Sequence, residues 1–406
     1  MYKNPLNLTS QFYFCGLPLR LDSYSGCSFK CKFCFALNRG GKNYWSKVNE
    51  ADPSFIEKKF QFIEKRKSFG VVNEMLIQRV PIHFGGMSDP LQKAELKFGI
   101  TLSFLKSLAK RNYPLVISTR SPLAFEEPYI SIFKNYTNLL LQFSFTTFDD
   151  KKISTFEPFS SKASEILKGI NKLRKHGINV SIRWQPYIPE FSEHPNEVID
   201  KLSDSGAQHV AIEYLKIPLP RGRNLLWNNM LKPISDTNQL YNKLGSNVQG
   251  REILLNIENR KETILSLRDN LHKRNISFGA ADIDLLYLSD ANCCCSGADL
   301  FKGFENWFKF QFSYAVKKSF HSHTIQFSSI EKEWNPKASI KEYIYPNSRL
   351  KDNDNSVFQH IKHRWNNLIS KNNPTMFEGV KPTDEFDSTG MRIYKWDSGI
   401  RNRMIN

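Results

Sequence analysis

The chain has 406 residues, 40% hydrophobic and 24% charged, the balance of a globular protein with a buried core. Its net charge of +17 suggests an anionic partner, DNA or RNA first, with a Lys- and Asn-rich composition as the plain alternative. No run approaches the roughly 18 apolar residues of a membrane span, and MYKNPLNLTSQFYF lacks a secretory pattern, so a cytoplasmic protein with no membrane partner is expected.

From about residue 18 to 216, short apolar runs alternate with amphipathic segments. LRLDSY (19–24), VPIHFG (80–85), PLVIST (114–119), NLLLQFSF (138–145), INVSIRW (178–184) and HVAIEYL (209–215) read as buried parallel strands. Between them, ELKFGITLSFLKSLAKR (95–111) and SKASEILKGINKLRKHG (161–177) carry the three- and four-residue spacing of helices, the second stopping at Gly177. Six strands and five helices spell repeated βα units of an α/β protein. A partial (β/α)6 barrel fits better than a full one, because the alternation fades after residue 216. LPRGRN (219–224) breaks the chain, REILLNIENRKETILSLRDNLHKRN (251–275) offers helix, and ISFGAADIDLLYLSD (276–290) another strand. The expected division is 1–217 as core, 218–296 as a core extension with a Cys-rich segment, and 297–406 as an appended C-terminal accessory region.

Seven cysteines, an odd number in clusters, argue for metal ligation over disulfides. GCSFKCKFCFA places Cys27, Cys31 and Cys34 in a C-x3-C-x2-C loop directly after the first predicted strand. Three thiolates can hold three irons of a cubane and leave the fourth open to a small molecule. A zinc site is the rival; structural zinc closes with four ligands, and no fourth Cys or His lies nearby, which favours iron–sulfur.

This loop, with the aromatic Phe33 before its last cysteine, resembles the radical S-adenosylmethionine (SAM) superfamily. GGMSDPLQKAE (85–95), ISTRSPL (117–123), FSFTTFDDKKISTFEP (143–158) and GINVSIRWQPYIPEF (177–191) are similar to its spore photoproduct lyase-like group, over about residues 15 to 216. The resemblance implies a [4Fe–4S] cluster on Cys27, Cys31 and Cys34, SAM on the open iron, and an electron donor for the cluster. It also implies cleavage of SAM to a 5′-deoxyadenosyl radical that abstracts a substrate hydrogen. Gly85 and Gly86 would form the turn against the SAM amino group. Met87 stands where an acidic residue is common in the family, leaving Ser88 or Asp89 to make the polar contact. Thr119-Arg120-Ser121 replaces a usual Thr-Lys-Ser, with Arg120 available to a carboxylate. Ser144, Thr146 and Arg183 are strand polars that would reach SAM, or else serve as structural hydrogen-bonders; Gln185 shares the alternation of Arg183.

Cys293, Cys294 and Cys295 admit three readings: ligands of an auxiliary cluster with Cys15, a catalytic thiol that donates hydrogen to a product radical as in spore photoproduct lyases, or buried packing. The aromatic–basic stretch FENWFKFQFSYAVKKSFHSH (304–323) would stack nucleic-acid bases or build core. A radical SAM enzyme acting on nucleic acid, as a repair lyase or base modifier, is the leading expectation. One acting on a peptide or small metabolite, and a non-catalytic iron–sulfur sensor, are its alternatives.

Overall fold

Strands buried on both faces need apolar residues in succession and neighbours on both edges, and the predicted runs meet this in one eight-stranded sheet. The computed structural model describes residues 1–9, 11, 13–37, 44–65, 70–219, 232–250, 252–292, 295–304, 309–343, 355–370 and 372–400. In chain order the sheet comprises β1 (Leu6–Leu8), β2 (Leu19–Leu21), β3 (Ile82–Phe84), β4 (Leu115–Thr119), β5 (Leu139–Phe145), β6 (Asn179–Tyr187), β7 (His209–Tyr214) and β8 (Ser277–Ala280). Each lies beside the next. β1 is antiparallel to β2 and caps that edge, while every later pairing is parallel.

Helices connect the parallel strands: α1 (Phe55–Glu64) and α2 (Val71–Ile77) before β3, α3 (Ile100–Lys110) before β4, and α4 (Tyr129–Lys134) before β5. They are followed by α5 (Ala163–Lys175) before β6, α6 (Pro195–Asp204) before β7, then α7 (Lys232–Leu244) and α8 (Glu258–His272) before β8. The expected six βα strands are present, and β8 adds a seventh parallel strand beyond the point where the pattern fades. Two helix expectations are corrected. Gly99, at φ +61°, divides residues 95–111 into a short turn and α3. Residues 252–255 form a strand in a small antiparallel sheet, so the helix of 251–275 starts only at Glu258.

The sheet is curled. The Cys15 thiol senses both Arg20 on β2 and Arg183 on β6, yet in a flat sheet four strand spacings would separate these by about 19 Å. The result is a partial barrel. On its inner side Arg20, His83, Ser118, Ser144 and Arg183 are each partly exposed between buried neighbours. The lumen of this barrel is therefore lined by polar groups, where a ligand-free barrel packs branched aliphatics.

The C-terminal region brings strands Thr324–Ile325, Arg392–Trp396 and Val380–Phe386 together in a three-stranded sheet beside the helices Phe312–Lys318 and Val357–Asn366. Trp365 is fully buried and donates through its indole N–H to the Arg392 carbonyl at 2.7 Å. The Phe312 N–H meets the Tyr13 carbonyl at 2.8 Å, so this region packs on the segment leading into β2. Phe304, Phe310 and Phe312 are buried; these aromatics of the 304–323 stretch build core and do not stack bases. No helix among the described residues is long and apolar enough to cross a membrane.

Candidate cluster and cofactor site

The cysteine loop leaves β2 at its carboxyl end, where open α/β sheets bind ligands. Gly26, at φ +88°, starts it; a Cβ there would lie 2.4 Å from the Lys47 carbonyl oxygen, so only glycine fits. Gln92, fully buried, accepts from the Ser28 N–H at 2.8 Å and donates to the Gly26 carbonyl at 2.9 Å. The Lys32 N–H donates to the Phe156 carbonyl at 2.8 Å. Both ends of the loop are thus held by backbone hydrogen bonds.

Cys27 and Cys31 are buried, Cys34 is partly buried, and they pack with Phe29, Tyr44 and Met87. Burial pushes the Cys27 thiol up to about 12 and raises Cys31 and Cys34 as well. Nearby Cys34 adds to the shift at Cys27, and both Cys27 and Cys34 to that at Cys31, so the three sulfurs converge. The Arg120 guanidinium pulls Cys31 and Cys34 the other way. Among the described residues no group of three or more His, Cys, Asp and Glu is gathered tightly enough to hold a metal ion. A cubane differs from a single ion in that each thiolate binds a different iron, so neighbouring cysteines set too wide for one ion can still hold it. Buried thiols need a cation to ionise, and iron would supply it.

Around the loop, the Gly85–Gly86 turn is shaped by contact. Gly85 has φ +100°, and its Cβ would come within 2.5 Å of the Ser118 carbonyl oxygen; one on Gly86 would come within 2.9 Å of Arg20 Cδ. Asp22, buried, accepts from the Met87 and Ser88 N–H groups at 2.8 and 2.9 Å, and burial lifts its carboxyl to about 6. Tyr44 donates to the Met87 carbonyl. Ser88 donates to the Tyr24 carbonyl at 2.7 Å, which commits its hydroxyl to the backbone. Asp89 receives Thr119 Oγ1 and the Arg120 N–H, both at 2.8 Å, so Thr119 and Asp89 tie the ends of β3 and β4 together beside Cys27.

Arg120 lies beside a carboxylate of the chain itself. It forms an ion pair with Glu157, which is buried and also accepts from Thr146 Oγ1 at 2.5 Å. The Arg120 guanidinium lies 5.5 Å from the Phe33 ring centre, and Phe33 packs on Phe156. Thr146 is therefore fully buried and structural in this arrangement, whereas Ser144 faces the lumen. Arg183 also faces the lumen, with Nη2 2.9 Å from Glu213; Gln185, two residues on along β6, is partly exposed.

Cys293 and Cys294 lie outside the described residues. Cys295 sits near Arg183, Glu213 and Cys15, and burial pushes its thiol up to about 11. Its carbonyl accepts from His209 Nε2 at 2.9 Å. Cys295 is thus placed at the lumen, apart from the 27–34 loop.

Asp22, Tyr44, Gln92 and Glu157 are the supports that sequence reasoning missed. A signal was present in GGMSDPLQKAE, where Asp89, Gln92 and Glu95 recur every three residues. Glu95 receives the Tyr129 hydroxyl and the Thr101 and Leu102 N–H groups at 2.8 Å each. A surface cleft lies elsewhere, between α5 and α6, lined by Asp149, Lys152, Lys168, Glu193 and Lys201 among others. It holds charges of both signs and none of the cysteines.

No family model matches the chain. It is 25% identical to an uncharacterized protein of Methanocaldococcus jannaschii over 195 residues, 47% of this chain and 66% of that one. It is 22% identical to an uncharacterized protein of Mycobacterium tuberculosis over 240 residues, 56% and 68% of the two chains. Among solved structures it is similar to spore photoproduct lyase complexed with dinucleoside spore photoproduct, at 13% identity and a TM-score of 0.47, covering 68% of this chain and 80% of that one. SuiB of Streptococcus suis bound to S-adenosylmethionine is similar at 13% identity and a TM-score of 0.43, covering 67% and 52%. At these identities no residue role is transferred from them.

Proposed function

We propose that the chain is a radical SAM enzyme, its [4Fe–4S] cluster held by Cys27, Cys31 and Cys34. The observation that carries this reading is the grouping of three cysteines, two buried and one half-buried, on a loop pinned by Gln92, at the carboxyl end of a parallel sheet with a polar lumen. When bound, such a cluster supplies the electron that cleaves SAM to methionine and a 5′-deoxyadenosyl radical, which takes a hydrogen atom from the substrate.

The chain's own groups have separate tasks. Arg120 offsets the negative charge of Cys31 and Cys34, and Glu157 fixes its direction. The Gly85–Gly86 turn, glycine because Ser118 and Arg20 pass close to it, would present its backbone to the cofactor. Phe29, Phe33 and Tyr44 keep water from the thiols, which limits loss of the radical to solvent. The net charge of +17 supports a nucleic acid or nucleotide as substrate, with repair or base modification as the chemistry.

Anaerobic reconstitution should give about four irons per chain, with Cys31→Ala losing them. Dithionite and SAM should then release 5′-deoxyadenosine. A stoichiometric zinc protein would remove the cluster assignment, and SAM left intact by an iron-loaded chain would favour the sensor reading. Binding to DNA or RNA should weaken steeply with salt; no binding at low salt would exclude nucleic acid as substrate.

A further inference from the structure

Two guanidinium groups inside the barrel each hold a buried Nε without a hydrogen-bond partner. Arg20 is the middle residue of β2, partly exposed to the lumen between fully buried Leu19 and Leu21. It forms no hydrogen bond or ion pair with any described residue, and its Nε is buried without a partner. Arg183 on β6 shares Glu213 with Lys216, at 2.9 and 2.5 Å, and its own Nε is likewise buried and unpartnered.

The two groups border one space. Both act on His83 and both act on the Cys15 thiol. The His83 ring, 2.7 Å from Ser118 Oγ, is driven down to about 3 by burial and by these two cations. It is therefore neutral, able to hydrogen-bond and adding no charge. Arg183 and Lys216 thus share Glu213, while Asp282 lies 3.9 Å from Lys216 and Asp22 acts on Arg20, so neither guanidinium has a carboxylate to itself at hydrogen-bond distance. Leaving a guanidinium desolvated and unpaired is costly, and its planar fork matches the oxygens of carboxylate and phosphate. The Arg20 stem packs against Gly86, where a Cβ would come within 2.9 Å of Arg20 Cδ.

We propose that Arg20 and Arg183 form an oxyanion site within the lumen that holds a phosphate or carboxylate group of the substrate. The word substrate rests on the radical SAM reading; the site itself does not. It gives the lumen a means to orient an anionic molecule below the cofactor site, with Cys15 and Cys295 beside it.

The test uses the anaerobically reconstituted full chain with saturating SAM and no reductant, so that the carboxylate of SAM already occupies its own site. Inorganic phosphate and acetate are titrated at constant ionic strength against chloride, by calorimetry and by thermal shift. Binding of phosphate, or of acetate, identifies the group. Arg20→Gln and Arg183→Gln should each weaken it tenfold or more while changing SAM affinity less than twofold. Arg20→Lys should recover only part, having charge without the fork, and it covers the case in which Arg20→Gln fails to fold. The proposal is overturned if neither anion binds better than chloride. It is equally overturned if Arg20→Gln weakens SAM tenfold and leaves anion binding intact, because Arg20 would then serve the cofactor. Anion binding in a chain that releases no 5′-deoxyadenosine would sink the radical reading and leave the oxyanion site standing.

Discussion

At the scale of single residues, the cysteine loop depends on side chains that never touch a thiol. Gln92 bonds both the Ser28 N–H and the Gly26 carbonyl. In Gln92→Leu, two largely buried backbone groups would lose those bonds, at about 1–3 kcal/mol each. We expect iron loading to fall below half of the parent value while the far-ultraviolet circular dichroism is unchanged. Full loading with unaltered stability would show that the loop holds itself. The cysteines were legible in the sequence because ligand spacing is local and thiolate chemistry is specific. The supports were not, since Glu157 and Asp22 acquire their roles from partners that only the folded chain brings near. Arg120 illustrates the difference. Its position at a strand end was readable, but its ion pair with Glu157 was not.

At the scale of elements, the central strands were legible because a strand covered on both faces reads as an apolar run. β8 was harder. Its sequence, SFGA, is short and small, and the structure supplies the reason: a Cβ on Gly279 would lie 2.3 Å from the Cys295 carbonyl oxygen and 2.8 Å from His209 Nε2. Close passage of another segment selected glycine over a strong strand former. Helix α5 shows the same conflict between propensity and packing. Gly169 sits in its middle, where alanine would normally gain about 0.8–1 kcal/mol. Here a Cβ would come within 2.2 Å of the Phe125 ring, which is stacked on Phe143 at 5.2 Å. Gly169→Ala should therefore destabilise by about 1–3 kcal/mol, read as a lower midpoint in urea. A raised midpoint would mean that Phe125 yields at little cost.

At the scale of the whole molecule, the C-terminal region shares its apolar interior with the barrel. Tyr287 packs on Trp396 with ring centres 5.4 Å apart, and Tyr13 on Phe312 at 5.6 Å. Lys261 and the Tyr287 hydroxyl both reach Glu378, at 2.7 and 2.5 Å. A chain ending at residue 296 would expose these surfaces. We expect it to aggregate, or to bind a hydrophobic dye and unfold without a cooperative transition. A soluble, cooperatively folding truncation would establish residues 297–406 as a separable unit. The sequence indicated a region covering the core; its aromatics were ambiguous because stacking platforms and packed cores use the same residues.

The anchoring of the cysteine loop has a consequence for biogenesis. Its tethers come from Asp22, Gln92 and the Phe156 carbonyl, whereas the segment before β2 waits for Phe312. At about 5–20 residues per second, a ribosome needs on the order of 10–30 s to bridge that interval. During it, the nascent chain presents a completed thiol loop before the C-terminal region has docked, an interval in which metal delivery can precede that docking.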